Sequence, residues 1–409
     1  MRHGRSLPER RGGGLSHVDR RRLLHTASAL SGLSAVGLGG CVEQAATASA
    51  PIVPPFAPAP SLAAVRASED RIIDVTVCLR PFRAEGPRLD VEPLGGKTVV
   101  HNYGHGGSGW SLSWGSSTIA IERAMAASPS AVAVIGCGAL GLTSAILAQR
   151  AGARVTIYAK DLLPQTRSAR AIGSWTPDSR IALESKAAAN FPALWERMAR
   201  TSFKTYRTYL GLPGAPVEFS DRYIIHAHPD PDGAPKTLQP ELDFMSLSER
   251  LSDFGAPSVV LPAGATPFPG PVRRFTSLQF NIADYGHMLM DDFLLAGGRV
   301  QRREFHDPSE LAALAEPVVI NCTGYGARAL WKDASIVPVR GQVTWLIPQP
   351  EVTYGVLYDG VNMLARRDGI VLQLTDGSDM LGYDDDNETP DAAEARTVVD
   401  RIARLYPRA

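Results

Sequence analysis

The stretch Ala131-Val-Ala-Val-Ile-Gly136-Cys-Gly138-Ala-Leu-Gly141 opens with five apolar residues and closes with three glycines in a Gly-x-Gly-x-x-Gly spacing. An unbroken apolar run of that length predicts a parallel strand covered on both faces, because such strands lack in–out alternation. Leu140–Ala151 carries helical spacing, and Arg154–Tyr158 (RVTIY) is β-branched again, so the pieces form a βαβ unit of ordinary size. In that context Gly136 makes the tight turn. Gly138 lets backbone meet a pyrophosphate at the positive helix end, with Ala139 and Leu140 in the first turn, and Gly141 permits close helix–strand packing. The motif denotes a dinucleotide site; by itself it does not separate FAD from NAD.

Just upstream lies His101-Asn-Tyr-Gly-His-Gly-Gly-Ser-Gly-Trp-Ser-Leu-Ser-Trp-Gly115. Glycines 104, 106, 107 and 109 allow backbone to approach a planar ligand and turn N–H groups toward it. Helical spacing follows over Ser113–Ala126, and His101 and His105 are expected to make local hydrogen bonds rather than to catalyse. The segment resembles the closing signature of the D-amino-acid oxidase family of flavoenzymes. In that family it comes after the nucleotide motif, near the C-terminus; here it comes first. The resemblance therefore implies a circular permutant, in which joining residue 409 to residue 70 restores the family order. Compact domains often have neighbouring termini, so such a cut needs no new packing. The likeness runs from Arg71 onward and is weakest between Ile181 and Pro271. It implies an α/β fold, with a Rossmann-like FAD-binding domain (about 97–178 and 315–345) and a mixed or antiparallel β-sheet substrate domain (about 179–314 and 346–409, with 71–96).

The same resemblance assigns residues. Gly106, Gly107, Ser108, Gly109 and Trp110 would present N–H groups to the flavin C2 carbonyl, with the positive end of the following helix at the same locus. Thr166, Arg167 and Ser168, then Gly173 and Trp175, match a second flavin-contact strip. Tyr158-Ala159-Lys160-Asp161 resembles the family's Tyr-Ala-Asp-Arg, but Lys160 stands where an acid should hold the ribose, leaving Asp161 as the nearest substitute. Thr323 and Gly324 mark a sheet exit near the nucleotide, and Arg340-Gly341-Gln342 matches flavin-side packing. Arg80 matches the arginine that grips the substrate carboxylate; a planar guanidinium does so through two parallel bonds, and parity puts Arg83 on the opposite face. Tyr358 is expected to line the substrate mouth, holding the substrate carboxylate with Arg80 or closing the pocket, and Asn362 replaces a second tyrosine four residues on, altering the side-chain pocket. The Gly107 carbonyl would accept from the amine.

The implied activity is oxidative deamination of a D-amino acid or related amine by hydride transfer from the carbon bearing nitrogen to flavin N5. The products would be an imino or keto acid, ammonia and, with oxygen, hydrogen peroxide. Two alternatives stand beside it: a flavin dehydrogenase passing electrons to a membrane quinone or carrier, and a flavin-binding sensor without chemistry.

The ends and composition bound the setting. Arg20-Arg21-Arg22-Leu23-Leu24 reads as a twin-arginine export core, and Leu38-Gly39-Gly40-Cys41 has the shape of a lipoprotein cleavage site. The expected layout is a signal over 1–40, an Ala/Pro-rich tether over 41–70 and the folded enzyme over 71–409, exported to the periplasmic side and lipid-anchored at Cys41. Residues 41–409 hold 35 basic and 40 acidic side chains, a mild acidity that gives nucleic acid no footing. Four scattered cysteines form no disulfide framework, and no His/Cys/Asp cluster has metal-ligand spacing.

Overall fold

The computed structural model describes residues 62–226, 242–255 and 257–406. The export core, the cleavage motif and most of the tether lie outside the described residues. Among the described residues no helix is long and apolar enough to cross a membrane.

In chain order the elements are β1 (Ile72–Arg83), β2 (Val91–Leu94), β3 (Lys97–His101), α1 (Gly109–Ala124), β4 (Ala131–Ile135), α2 (Ala139–Arg150), β5 (Arg154–Ala159), α3 (Phe191–Tyr206), β6 (Val217–Ile225), β7 (Val259–Leu261) and β8 (Val272–Phe280). They continue with α4 (Ile282–Leu295), β9 (Arg299–Arg302), α5 (Ser309–Ala312), β10 (Val318–Asn321), α6 (Ala327–Leu330), β11 (Ile336–Leu346), β12 (Tyr354–Tyr358), β13 (Val361–Arg366), β14 (Gly369–Leu374) and α7 (Ala392–Leu405). Two sheets result. The smaller runs β2-β3-β10-β4-β5-β9, parallel except for β2. The larger runs β1-β11-β14-β13-β12-β6-β8-β7, antiparallel except for the β12–β6 pair.

The apolar run at β4 does what its pattern requires. Val132 and Val134 pack under α1 and α2, while Ala133 and Ile135 face the opposite layer with Leu311, Leu314 and Leu330. Both faces are dry, so each side chain of this size contributes roughly 1.5–3 kcal/mol by leaving water. Helix α1 begins at Gly109, four residues ahead of the expected Ser113. Its small residues allow tight helix packing: a Cβ at Gly115 would fall 2.0 Å from the Met198 carbonyl oxygen of α3, and the Gly115 N–H donates to Ser202 Oγ at 2.8 Å.

Strand β1 runs on through Pro81 to Arg83. It is the edge of the large sheet, so the missing proline N–H breaks no ladder on its free side. The expected partition also shifts. β2 and β9 belong to the smaller, nucleotide-side sheet, and β11 belongs wholly to the larger one. One face of the large sheet is covered by α7, whose Val398, Val399 and Ile402 pack on Val356, Met363 and Leu372. Asp391 caps that helix, its carboxylate accepting from Ala393 N at 2.7 Å and Glu394 N at 3.2 Å. The other face is free to build a site.

Candidate active site

A cavity of about 930 Å³ lies between the carboxyl ends of β4, β5 and β10 and the inner face of the large sheet. Crevices at strand carboxyl ends are where open α/β sheets bind ligands.

At the nucleotide end Gly136 and Gly141 of the β4–α2 turn are sterically obligatory, and Gly138 is tightly approached by a side chain. Gly136 has φ +107° and a Cβ there would sit 2.5 Å from the Cys322 carbonyl oxygen; at Gly141 it would sit 2.1 Å from that of Gly136. A Cβ at Gly138 would meet Ser168 Oγ at 2.6 Å, and that hydroxyl accepts from Ala139 N at 3.1 Å. The next first-turn N–H group, on Leu140, has no acceptor within the helix and is left for a ligand. Thr166 Oγ1, on the same wall, is buried with no partner among the described residues, as expected of a group awaiting one. Arg167 lies on the Tyr325 ring and pairs with Glu388. Thr323 and Gly324 line the cavity, the Thr323 hydroxyl donating to Asn321 Oδ1 at 2.8 Å. At the far end Lys160 pairs with Glu304 at 3.2 Å, beside Asp161. The glycine cradle, the helix N-terminus and the orphan hydroxyl fit a flavin dinucleotide.

The glycine-rich segment reaches the cavity, but its donors are distributed differently from expectation. Gly106 N donates to Pro81 O and Gly107 N to Ser179 O, both at 2.9 Å, and Ser108 N to His105 O at 2.9 Å, so these three are already satisfied. Ser108 is itself buried away from the cavity, its hydroxyl donating to Ser179 O at 3.1 Å. Because α1 starts at Gly109, the unsatisfied donors at the cavity are the first-turn N–H groups of Gly109 and Trp110. Trp110 also ties the two walls, Nε1 donating to Ser168 O at 2.8 Å. Gly107 lines the cavity, and its carbonyl accepts from no described donor. Trp175 is a second correction: in the extended strip after Gly173, Ser174 and Thr176 face the cavity while Trp175 packs outward on Phe203 and Tyr206.

His105 borders the site without reaching a reactive position. Ser116 donates to Asn102 Oδ1 at 2.6 Å, so it accepts at 2.7 Å from His105 Nε2, and complete burial pushes this imidazole down to about 3.

On the large-sheet side of the cavity Arg80 projects from β1 over Gly341 of β11, donating through Nη1 to Arg340 O at 3.0 Å. Enclosure lowers its proton affinity, and no carboxylate lies within 4.0 Å of it among the described residues. Arg180, which sequence spacing did not single out, also lines the cavity, but it carries its own counter-ion, Asp379, at 3.1 Å. Asn362 lines the cavity as expected, its Oδ1 accepting from Arg222 Nη2 at 2.5 Å. Tyr358 does not join it. β12 and β13 are linked by the two residues Asp359 and Gly360, Leu357 pairs with Asn362 and Tyr358 with Val361, so Tyr358 faces the α7 side and packs in that core. Arg366 is enclosed, paired with Asp368 at 2.5 Å and seated on the Trp345 ring.

A parallel sheet with a glycine-turn nucleotide site, facing a second sheet that offers an unpaired arginine, defines a dinucleotide-dependent enzyme. The family model DAO, FAD dependent oxidoreductase, matches residues 131–409, and the chain belongs to that family. It is an FAD-dependent oxidoreductase. It is 27% identical over 282 residues to a D-amino-acid oxidase of Dictyostelium discoideum, covering 67% of this chain and 72% of that one. Over 213 residues it is 30% identical to a D-amino-acid oxidase of Streptomyces coelicolor, covering 52% and 58% respectively. Among solved structures, glycine oxidase from Geobacillus kaustophilus aligns over 67% of this chain and 77% of that one, with TM-score 0.45 and 15% identity.

Proposed function

We propose that the protein oxidises a D-amino acid or related amine at the carbon bearing nitrogen. The observation that carries this reading is Arg80: an enclosed guanidinium with no carboxylate within 4.0 Å among the described residues, lining the same cavity as the α1 N-terminus. It would hold the substrate carboxylate through paired charge-assisted bonds. The Gly107 carbonyl, free of any described donor, would accept from the amine and fix its orientation. The α1 N-terminus favours negative charge developing beside it. FAD, when bound, supplies the two-electron acceptor for the hydride leaving that carbon. Orientation and a preorganised field supply the rate without a side-chain base, since His105 is held neutral and engaged with Ser116. The released imine hydrolyses to keto acid and ammonia, and oxygen as final acceptor gives one peroxide per imine. Mixing the FAD-loaded protein anaerobically with D-amino acids should bleach the visible flavin band, whereas the L-isomers should not. A band untouched by any D-amino acid or amine would end this reading.

A circular permutation of the family order is part of the proposal. Tyr354 Oη donates to Ala63 O at 2.6 Å and lies 3.0 Å from Tyr406 Oη, so the two ends of the described chain meet at one hydroxyl. Relinking them and opening the chain between 126 and 131 should yield a protein that folds and binds FAD. Export with acylation at Cys41 is proposed from the Arg20–Leu24 and Leu38–Cys41 motifs. A Cys41→Ser variant that still incorporates labelled fatty acid would refute it.

A further inference from the structure

Behind Asn362 lies a guanidinium that sequence spacing did not single out. Arg222, on β6, is 4% exposed. Its Nη1 donates to Ser174 Oγ at 3.1 Å and its Nη2 to Asn362 Oδ1 at 2.5 Å. Room for it comes from β12, where a Cβ at Gly355 would fall 2.5 Å from Arg222 Nε. That Nε is buried without a partner, and no carboxylate lies within 4.0 Å of the guanidinium among the described residues. Arg180 and Arg366, by contrast, bring Asp379 and Asp368 with them.

A guanidinium can only donate. It therefore engages the oxygen of the Asn362 amide and a lone pair of the Ser174 hydroxyl. What Asn362 can still offer to the cavity is an amide N–H, and Ser174 offers a hydroxyl O–H beside one remaining lone pair. The amide orientation follows from the same physics, since the flipped form would set N–H against N–H. The wall from Ser174 to Asn362 is thus a donor surface backed by an unbalanced positive charge. Arg80 forms a second such locus on the same inner face, leaning from β1 over β11, with only β14 between β11 and the strand β13 that carries Asn362.

We infer that the site is built for a D-amino acid carrying a second carboxylate, one carboxylate held by Arg80 and the other by Asn362 and Ser174 with Arg222 behind them. This rests on the amino-acid reading above. An apolar side chain would leave the Asn362 and Ser174 donors desolvated and unpaired, and a cationic one would also face Arg222, so both are disfavoured.

The test uses the full FAD-loaded protein and anaerobic flavin reduction by D-aspartate, D-glutamate, D-alanine and D-lysine. The acidic pair should react at least a hundredfold faster, per unit concentration, than D-alanine, and Arg222→Leu should collapse that ratio to below tenfold. Succinate against propionate, titrated through the perturbation of the flavin spectrum, gives the same discrimination in the unmodified protein, with succinate expected at least tenfold tighter. Reduction by D-alanine with no preference for the acidic pair overturns the inference and leaves the amino-acid reading standing. Failure of every D-amino acid to reduce the flavin removes both. A tenfold loss of FAD affinity in Arg222→Leu with the acidic preference intact would assign the donor wall to the cofactor and also overturn it.

Discussion

Replacing Gly341 by alanine tests the placement of Arg80 without touching the arginine. A Cβ at 341 would stand 2.1 Å from Arg80 Nη2, 2.5 Å from Cζ and 2.6 Å from Nη1, and these are its three nearest neighbours. Non-bonded atoms settle near ~3.5 Å, so the guanidinium must retreat by about 1.4 Å. Gly341 has no positive φ and lies within β11, so the alanine backbone itself is unstrained. The stability cost is confined to the bonds from Nη1 to Val339 O and Arg340 O, about 1 kcal/mol each if both are lost. The functional cost is larger, because a misplacement of about 1 Å in a positioning group lowers turnover on the order of a hundredfold. Gly341→Ala should therefore lower kcat/KM for flavin reduction by about 10²-fold, near 2.7 kcal/mol, with a fold stability loss below about 2 kcal/mol. Arg80→Leu should lose more, about 3–6 kcal/mol for two charge-assisted bonds. In the Arg80→Leu background the alanine should then add nothing. Stopped-flow reduction of all four forms, with urea unfolding beside it, measures the cycle. Wild-type reduction in Gly341→Ala, or an equal loss in both backgrounds, refutes the placement of Arg80 at the substrate.

Three further outcomes are expected. Gly141→Ala sets a methyl 2.1 Å from the Gly136 carbonyl, a backbone atom that cannot swing away, so it should cost about 1–3 kcal/mol in urea unfolding and sharply weaken FAD retention on gel filtration. His105 is held neutral down to about 3 when folded but titrates near its ordinary 6.5 when unfolded, so the unfolded chain takes up the proton first as pH falls. Relative to His105→Gln, wild-type stability should therefore decline by up to about 1.4 kcal/mol per pH unit below 6.5, and a parallel pH profile of the two proteins would contradict this. Tyr358→Phe should reduce within twofold of wild type, because its ring faces the α7 core; a tenfold loss would return it to the substrate mouth.

The corrections at Tyr358 and Trp175 share one cause. Tyr358 and Asn362 are four apart, a spacing that shares a face along a continuous strand. Here the Asp359–Gly360 turn, with φ +47° and +69°, intervenes and reverses the parity. An Asp-Gly pair between apolar runs is a hairpin signal, so this error was legible in the residues themselves. Trp175 fell to the same alternation in an extended strip. Arg222 and Arg180 carried no such signal: their neighbours Asn362 and Asp379 lie 140 and 199 residues away in the chain.

What sequence alone determined was what is decided within one or two turns of chain: the βαβ unit and its three turn glycines. Those follow from φ/ψ limits and hydrophobic period, which act between near neighbours. What only the tertiary structure decided was which polar groups are left wanting a partner. That depends on who else arrives at the same cavity: Pro81 and Ser179 carbonyls to satisfy Gly106 and Gly107, Asp379 to neutralise Arg180, and no carboxylate at Arg80 or Arg222 among the described residues. Hydrogen-bond saturation and charge balance are sums over a whole neighbourhood, and distant segments supply most of that sum.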